Sequence, residues 1–249
     1  MALEHDTNVS EDSVVSFMLN ESVKGRFARV ENSLNNILSQ HKYPQKISSL
    51  MAEAILLAIM IGQAVKLRWK LSLQIRGSGF IKLIAVDYFS PKNENSSAKV
   101  RAYATFDSHS VDLTTEPAFK LLGDGFFAVL IDQGSGTEPY QGITPLTGDS
   151  LAHCAETYFS QSEQLPTTFK IIVGQTDILE KEAKWMAGGI MLQQLPSVKQ
   201  FANFDDTKLT KPTFKKINSQ HDLVTEEIET WHRTKILMNE FISVLSKIN

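Results

Sequence analysis

Trp185-Met186-Ala187-Gly188-Gly189-Ile190-Met191-Leu192-Gln193-Gln194-Leu195-Pro196, preceded by Tyr158-Phe159-Ser160-Gln161-Ser162-Glu163-Gln164-Leu165-Pro166, is the stretch on which the reading of this chain turns. Lys184 to Gln194 reads as a helix in spite of Gly188 and Gly189, which cost about 1 kcal/mol each relative to alanine in a helix interior. Paired glycines in a helix permit close packing, so the segment is expected to lie tightly against a neighbour. Upstream, Leu151, Cys154, Ala155, Tyr158 and Phe159 form one stripe, which predicts a helix from Leu151 to Ser162 capped by Asp149 or Ser150. A strand over Thr168 to Val173 separates the two.

Working outward toward the N-terminus, Phe126 to Asp132 is a continuous apolar run suited to a strand buried on both faces, and Phe119 to Leu122 predicts a short helix ended by Gly123. Leu71 to Ile75 and Phe80 to Val86 flank Gly77-Ser78-Gly79, predicting an antiparallel hairpin, and Lys99 to Phe106 alternates as a further strand. Apolar residues at spacings of three and four from Ile47 to Val65 predict a long amphipathic helix over Gln45 to Leu67, with one apolar face in the core. Val23 to Val30 alternates apolar and basic positions, the pattern of a strand with one wet face, and a first strand begins near Val15 to Phe17.

Toward the C-terminus, Ser197 to Leu223 is polar with scattered Phe201, Phe204 and Phe214, as in a linker with apolar anchors. Thr225 then opens a helix to about Ile248 that carries Ile228, Trp231, Met238, Phe241, Ile242, Leu245 and Ile248 on one face. The expected fold is α+β: a mixed, largely antiparallel sheet domain packed with helices over residues 1–180, followed by a helical linker region over 181–249.

Composition bounds the function. With 249 residues and 42% hydrophobic content the chain can bury a large core. A net charge of −3 without a clustered basic surface argues against nucleic acid. The apolar run Ala54 to Gly62 is too short to cross a bilayer, and the acidic start with Glu4, Asp6, Glu11 and Asp12 is unlike a secretory signal. One cysteine, Cys154, excludes an internal disulfide framework and fits a reducing, cytoplasmic setting.

The Ser-Glu-Gln segment and the Trp185 to Pro196 segment resemble the bacterial thirty-three-kilodalton heat-shock chaperone family, a family of redox-regulated holdases. Further pieces match in the same order: Glu21 to Arg26, Ala58 to Ala64, Leu73 to Gly79 and Tyr140 to Leu146, so that the resemblance spans roughly residues 15–196. It implies an ATP-independent chaperone that is not an enzyme, unfolded clients as partners, dimerisation of the active form, and a metastable linker packed over the sheet. The motif residues Gly25, Gly77, Gly142, Ser162, Glu163, Gln164, Gly188 and Gly189 are then structural, and Leu71, Leu73, Ile75, Ile228, Trp231 and Phe241 are candidates for the client-binding or linker-covered surface. Family members carry zinc in a Cys-X-Cys and Cys-X-X-Cys module. No cysteine follows Cys154 here, so no cofactor is expected in this chain, which is either a truncated form or a natural form without the switch.

Other chemistries fit less well. His153 beside Cys154 points about 100° away on a helix and is badly placed to activate the thiol. Gly134-Ser135-Gly136-Thr137 lacks the glycine-lysine ending of a phosphate loop and reads as a turn between strands. Asp205, Asp206, His221, Glu226, Glu227 and His232 have no metal-ligand spacing. Ser162-Glu163-Gln164 fits a hydrogen-bonded corner better than a catalytic trio, and Trp185, Met186 and Met191 fit core packing better than a cofactor face. The remaining rival is an adaptor domain that binds one folded partner through its C-terminal helix.

Overall fold

A computed structural model describes residues 12–93, 95–108, 111, 114–176, 183–195, 231 and 234. Two antiparallel sheets enclose one long helix. The four-stranded sheet has the order β1 (Ser13–Asn20), β2 (Val23–Val30), β9 (Lys184–Gln194), β8 (Thr167–Thr176). The five-stranded sheet has the order β5 (Lys99–Phe106), β4 (Ile81–Phe89), β3 (Lys70–Gly77), β6 (Gly125–Asp132), β7 (Tyr140–Pro145). Every ladder among the described residues is antiparallel.

Helix α2 (Gln45–Ala64) packs against both sheets. It is not the one-sided helix the spacing suggests: Leu56, Leu57, Met60 and Ile61 join Ile47, Met51 and Ile55 at full burial, so apolar side chains are needed all round. Its length and hydropathy alone would suit a membrane span, yet 78% of its most apolar window is buried inside the protein. It is the core helix. Helix α1 (Asn32–Leu38) precedes it, and α3 (Leu151–Tyr158) bridges the two sheets at one end. There the rings of Phe127, Tyr158, Phe159 and Phe169 pass contact from β6 to β8 at centroid separations of 6.5, 5.4 and 5.8 Å.

Lys184 to Gln194 is a strand, not a helix, and it lies in the interior of the four-stranded sheet, beyond the division expected at residue 180. Its inward phase is Ala187, Gly189, Met191 and Gln193, all buried. The glycines explain both the strand and its disguise. A Cβ at Gly189 would stand 2.8 Å from the Lys170 carbonyl oxygen and 3.1 Å from Leu56 Cδ2, so only glycine lets α2 approach the sheet here.

Strand β2 corrects the second expectation. Arg26, placed by its alternation on the wet face, is only 2% exposed, and Phe27 beside it is 43% exposed. Ala28 and Val30 belong to the central core and fix the inward phase, which carries Arg26 inward and turns Phe27 out. Among the described residues the other sequence-based elements form close to their expected limits. Gly123, at φ 64, closes the short 3-10 helix Ala118–Leu122.

Candidate functional site

The outer face of the four-stranded sheet is apolar where an exposed sheet face is usually polar. The register sets Phe17, Gly25, Leu192 and Thr168 in one row, and Val15, Phe27, Ile190 and Lys170 in the next. Val23 and Leu192 are nearly fully buried and form a second hydrophobic cluster, separate from the central core, against which Phe17, Ile190 and Trp231 pack. Beyond that cluster the face stays open, with Val15 56%, Phe27 43% and Ile172 45% exposed. Arg29 and Lys170 interrupt it. Exposed apolar patches of this kind, edged by polar residues, occur where a protein meets another protein, a membrane or a ligand.

Trp231 is half-buried and helical, and it also borders a cavity of about 440 Å3 beside Glu156, Gln161 and Pro166. It therefore sits where the apolar face meets the corner between α3 and β8. That corner is built by hydrogen bonds. Ser150 caps α3 by accepting from the His153 amide at 3.3 Å. The helix then widens into a π-helical turn (Phe159–Glu163), Gln164 takes a left-handed conformation at φ 53, and the Leu165 amide donates to the Phe159 carbonyl. Tyr158 donates its hydroxyl to Glu163 Oε1 at 2.6 Å. Burial, and then the Glu163 carboxylate, push the Tyr158 hydroxyl far above the ordinary phenol range, so it stays a donor. Glu156 Oε1 accepts from Thr168 Oγ1 and the Phe169 amide at 2.6 and 2.9 Å, tying α3 to the edge strand β8.

Glu53 forms a second tie, from α2 to α3, by accepting the Ala152 amide at 2.9 Å. Burial raises its carboxyl pKa, the Ala152 and Leu151 amides oppose that shift, and Asp149 adds to it. A raised carboxylate pKa means the fold favours the protonated acid, so this group helps most below the ordinary carboxylate range and that help is lost as pH rises through the raised value. Replacing Glu53 with Gln keeps the acceptor and removes the charge. E53Q is expected to melt above the wild type at about pH 7.5 and together with it near pH 4, where both side chains are neutral. Thermal unfolding across that range checks it, and an E53Q melting point below wild type at neutral pH would refute it.

The sequence-based candidates separate into three groups. Leu71, Leu73 and Ile75 are wholly buried in the central core, on the opposite side of the fold's interior from the apolar face described above. Trp231 packs on that face. Ile228 and Phe241, like the expected linker at 197–223 and most of the helix from Thr225 to Ile248, lie outside the described residues. Of the motif glycines, Gly77 ends β3, Gly142 lies in β7 under the Tyr158 ring, and Gly188 and Gly189 are adjacent in β9. Gly25 lies under the Phe17 ring.

The reactive alternatives find little support. Cys154 is buried, its sulfur 3.3 Å from the Thr147 carbonyl, and burial pushes its thiol pKa up, away from a nucleophilic thiolate. Gly134 to Thr137 forms the turn between β6 and β7. Among the described residues no group of three His, Cys, Asp or Glu side chains is arranged for a metal ion; Asp205, Asp206, His221, Glu226, Glu227 and His232 lie outside them. Sequence reasoning missed Val15, Phe17, Val23, Phe27, Ile172, Ile190 and Leu192 as one surface; the outward Phe27 on a strand with an inward Arg26 is the signal that reveals it.

Fold and surface together define an α+β domain that presents an apolar sheet face. The chain belongs to the Hsp33 protein family, whose model matches residues 12–244. It is 39% identical over 194 residues to the 33 kDa chaperonin of Caulobacter vibrioides, covering 76% of this chain and 62% of that protein. It is 33% identical over 187 residues to the 33 kDa chaperonin of Serratia proteamaculans, covering 75% and 59%. The crystal structure of the 33 kDa chaperonin of Thermotoga maritima superposes with a TM-score of 0.61 at 21% identity, covering 74% of this chain and 61% of that one. That likeness bears on the fold alone. The chain thus spans about three fifths of the length of the curated relatives it matches. Their name is that of a chaperonin.

Proposed function

We propose that this chain is an ATP-independent holdase, which captures unfolding proteins on the outer face of the four-stranded sheet and so prevents their aggregation under heat or oxidative stress. The observation that carries the reading is the second hydrophobic cluster. An apolar sheet face, partly occupied by Trp231 from far along the same chain, is a binding surface with its own cover. A client would compete with that cover for Val23, Leu192 and Ile190, while Val15, Phe27 and Ile172 offer a first foothold. The family and its chaperonin relatives support the same activity.

In this reading the clients are unfolded proteins rather than nucleic acid or membrane, the setting is cytoplasmic, and the active form is a homodimer. Light scattering from a heat-unfolding protein, in reductant and without nucleotide, tests the proposal: stoichiometric amounts of this chain are expected to suppress aggregation and to ignore the same protein when native. No suppression, or capture of one folded partner in place of unfolded chains, would reject it in favour of an adaptor.

A further inference from the structure

We propose that Gly25 positions the Phe17 ring as the floor on which Trp231 rests, so that the missing side chain at residue 25 sets how tightly Trp231 packs on the sheet. The inference rests on the reading that Trp231 covers part of the binding face. Gly25 lies on the outward phase of β2, directly opposite Phe17 on β1 and Leu192 on β9. An outward glycine should be open to water, yet Gly25 is buried. The Phe17 ring is the reason, because a Cβ at Gly25 would overlap it at Cζ, Cε2 and Cε1. An aromatic ring folded over a cross-strand glycine covers backbone that would otherwise be wet, and here it also reaches across the strand toward Val23 and Leu192. Trp231 packs against that same cluster.

A methyl group at residue 25 therefore has one consequence: it lifts the ring off the sheet into the space above, where Trp231 packs. The ordinary expectation has the opposite sign. A strand glycine with unexceptional φ normally gains stability when replaced by alanine, which loses less entropy on folding. Gly188 provides the internal control. It shares the outer face, but a Cβ there would find no neighbour closer than the Ala28 carbonyl oxygen at 3.9 Å.

The experiment uses the full chain with Trp69→Phe and Trp185→Phe, leaving Trp231 as the sole tryptophan of three, and reads its quenching by acrylamide. G25A is expected to raise the quenching constant about three-fold while G188A leaves it unchanged, because only the first moves the ring. Phe17→Ala should raise it as well. The double variant F17A/G25A should be no more accessible than F17A alone, since without the ring the added methyl strikes nothing. Should G25A fail to fold, F17L/G25A, whose shorter side chain clears the methyl, takes its place and is expected to quench like F17L. Unchanged quenching in G25A, or effects of G25A and F17A that multiply, would overturn the proposal. The readout is Trp231 accessibility and not client capture, so failure here leaves the binding surface standing, whereas a Trp231 indifferent to an added unfolded client would strike the surface itself.

Discussion

Arg26→Met raises the melting temperature of this protein. Arg26 is 2% exposed on the inward phase of β2, opposite Met191 on β9 and Ser16 on β1, and among the described residues its Nε and Nη1 find no hydrogen-bond partner. Burial lowers its pKa, which states the same fact: the fold penalises the charged form. A guanidinium remains protonated at any working pH, so the fold carries that penalty throughout. Methionine has similar length, fills irregular space and needs no acceptor. Removing an uncompensated buried charge in this way is expected to add about 1–3 kcal/mol, and a chain of this size then melts roughly 3–10 °C higher. Scanning calorimetry decides the matter, and an R26M variant less stable than wild type would show that the guanidinium has a compensating role. Arg26 sits in the strand whose other face carries Phe27 and Val23, so the cost falls on the element that supports the proposed binding face.

That strand also shows which parts of the structure were legible in the sequence and which were not. The hairpin β3 and β4, strand β5, the buried strand β6, and helices α2 and α3 declare themselves through local periodicity and glycine turns, and they form close to their expected limits. Helix α1 does not, because its ties are distant: Asp12 accepts the Glu31 and Ser33 amides, and the Asn35 side chain pairs with both backbone groups of Trp185. Strand β9 is disguised because Gly188 removes a side chain from one phase and Gly189 from the other, erasing the period of two. The apolar face was hidden for a third reason. Its residues come from four strands, and only the register shows that Phe17, Gly25 and Leu192 share a row. Periodicity identifies a strand, but which of its phases faces the core is settled by its neighbours. Trp231 was the exception, since it is the one tryptophan on the apolar stripe that Ile228, Met238, Phe241, Ile242 and Leu245 mark out in the sequence before any fold is known.

Phe27→Asp abolishes client capture without unfolding the protein. Phe27 lies in the row of Val15 and Ile190, next to the cluster that holds Trp231, and is already 43% exposed, so its replacement costs the fold little. Surface substitutions usually shift stability by less than about 0.5 kcal/mol, and losing the half-buried part of this ring sets the cost nearer 1 kcal/mol. The functional cost is larger. A client gains by burying its apolar groups against this face, and a carboxylate in the centre must be desolvated without a partner whenever a client docks. Suppression of aggregation should fall at least about ten-fold, the equivalent of about 1.4 kcal/mol of binding. The control is Ile143→Asp on β7 of the other sheet, a residue still more exposed at 54% and opposite Ala128. I143D adds the same charge to a comparably apolar position but leaves the four-stranded face intact, and it should capture clients like wild type. Equal loss in both variants would mean that any added charge repels clients, and full activity in F27D would place the binding surface elsewhere. Loss in F27D alone assigns capture to the sheet face on which Trp231 rests, since I143D carries the same charge on the other sheet.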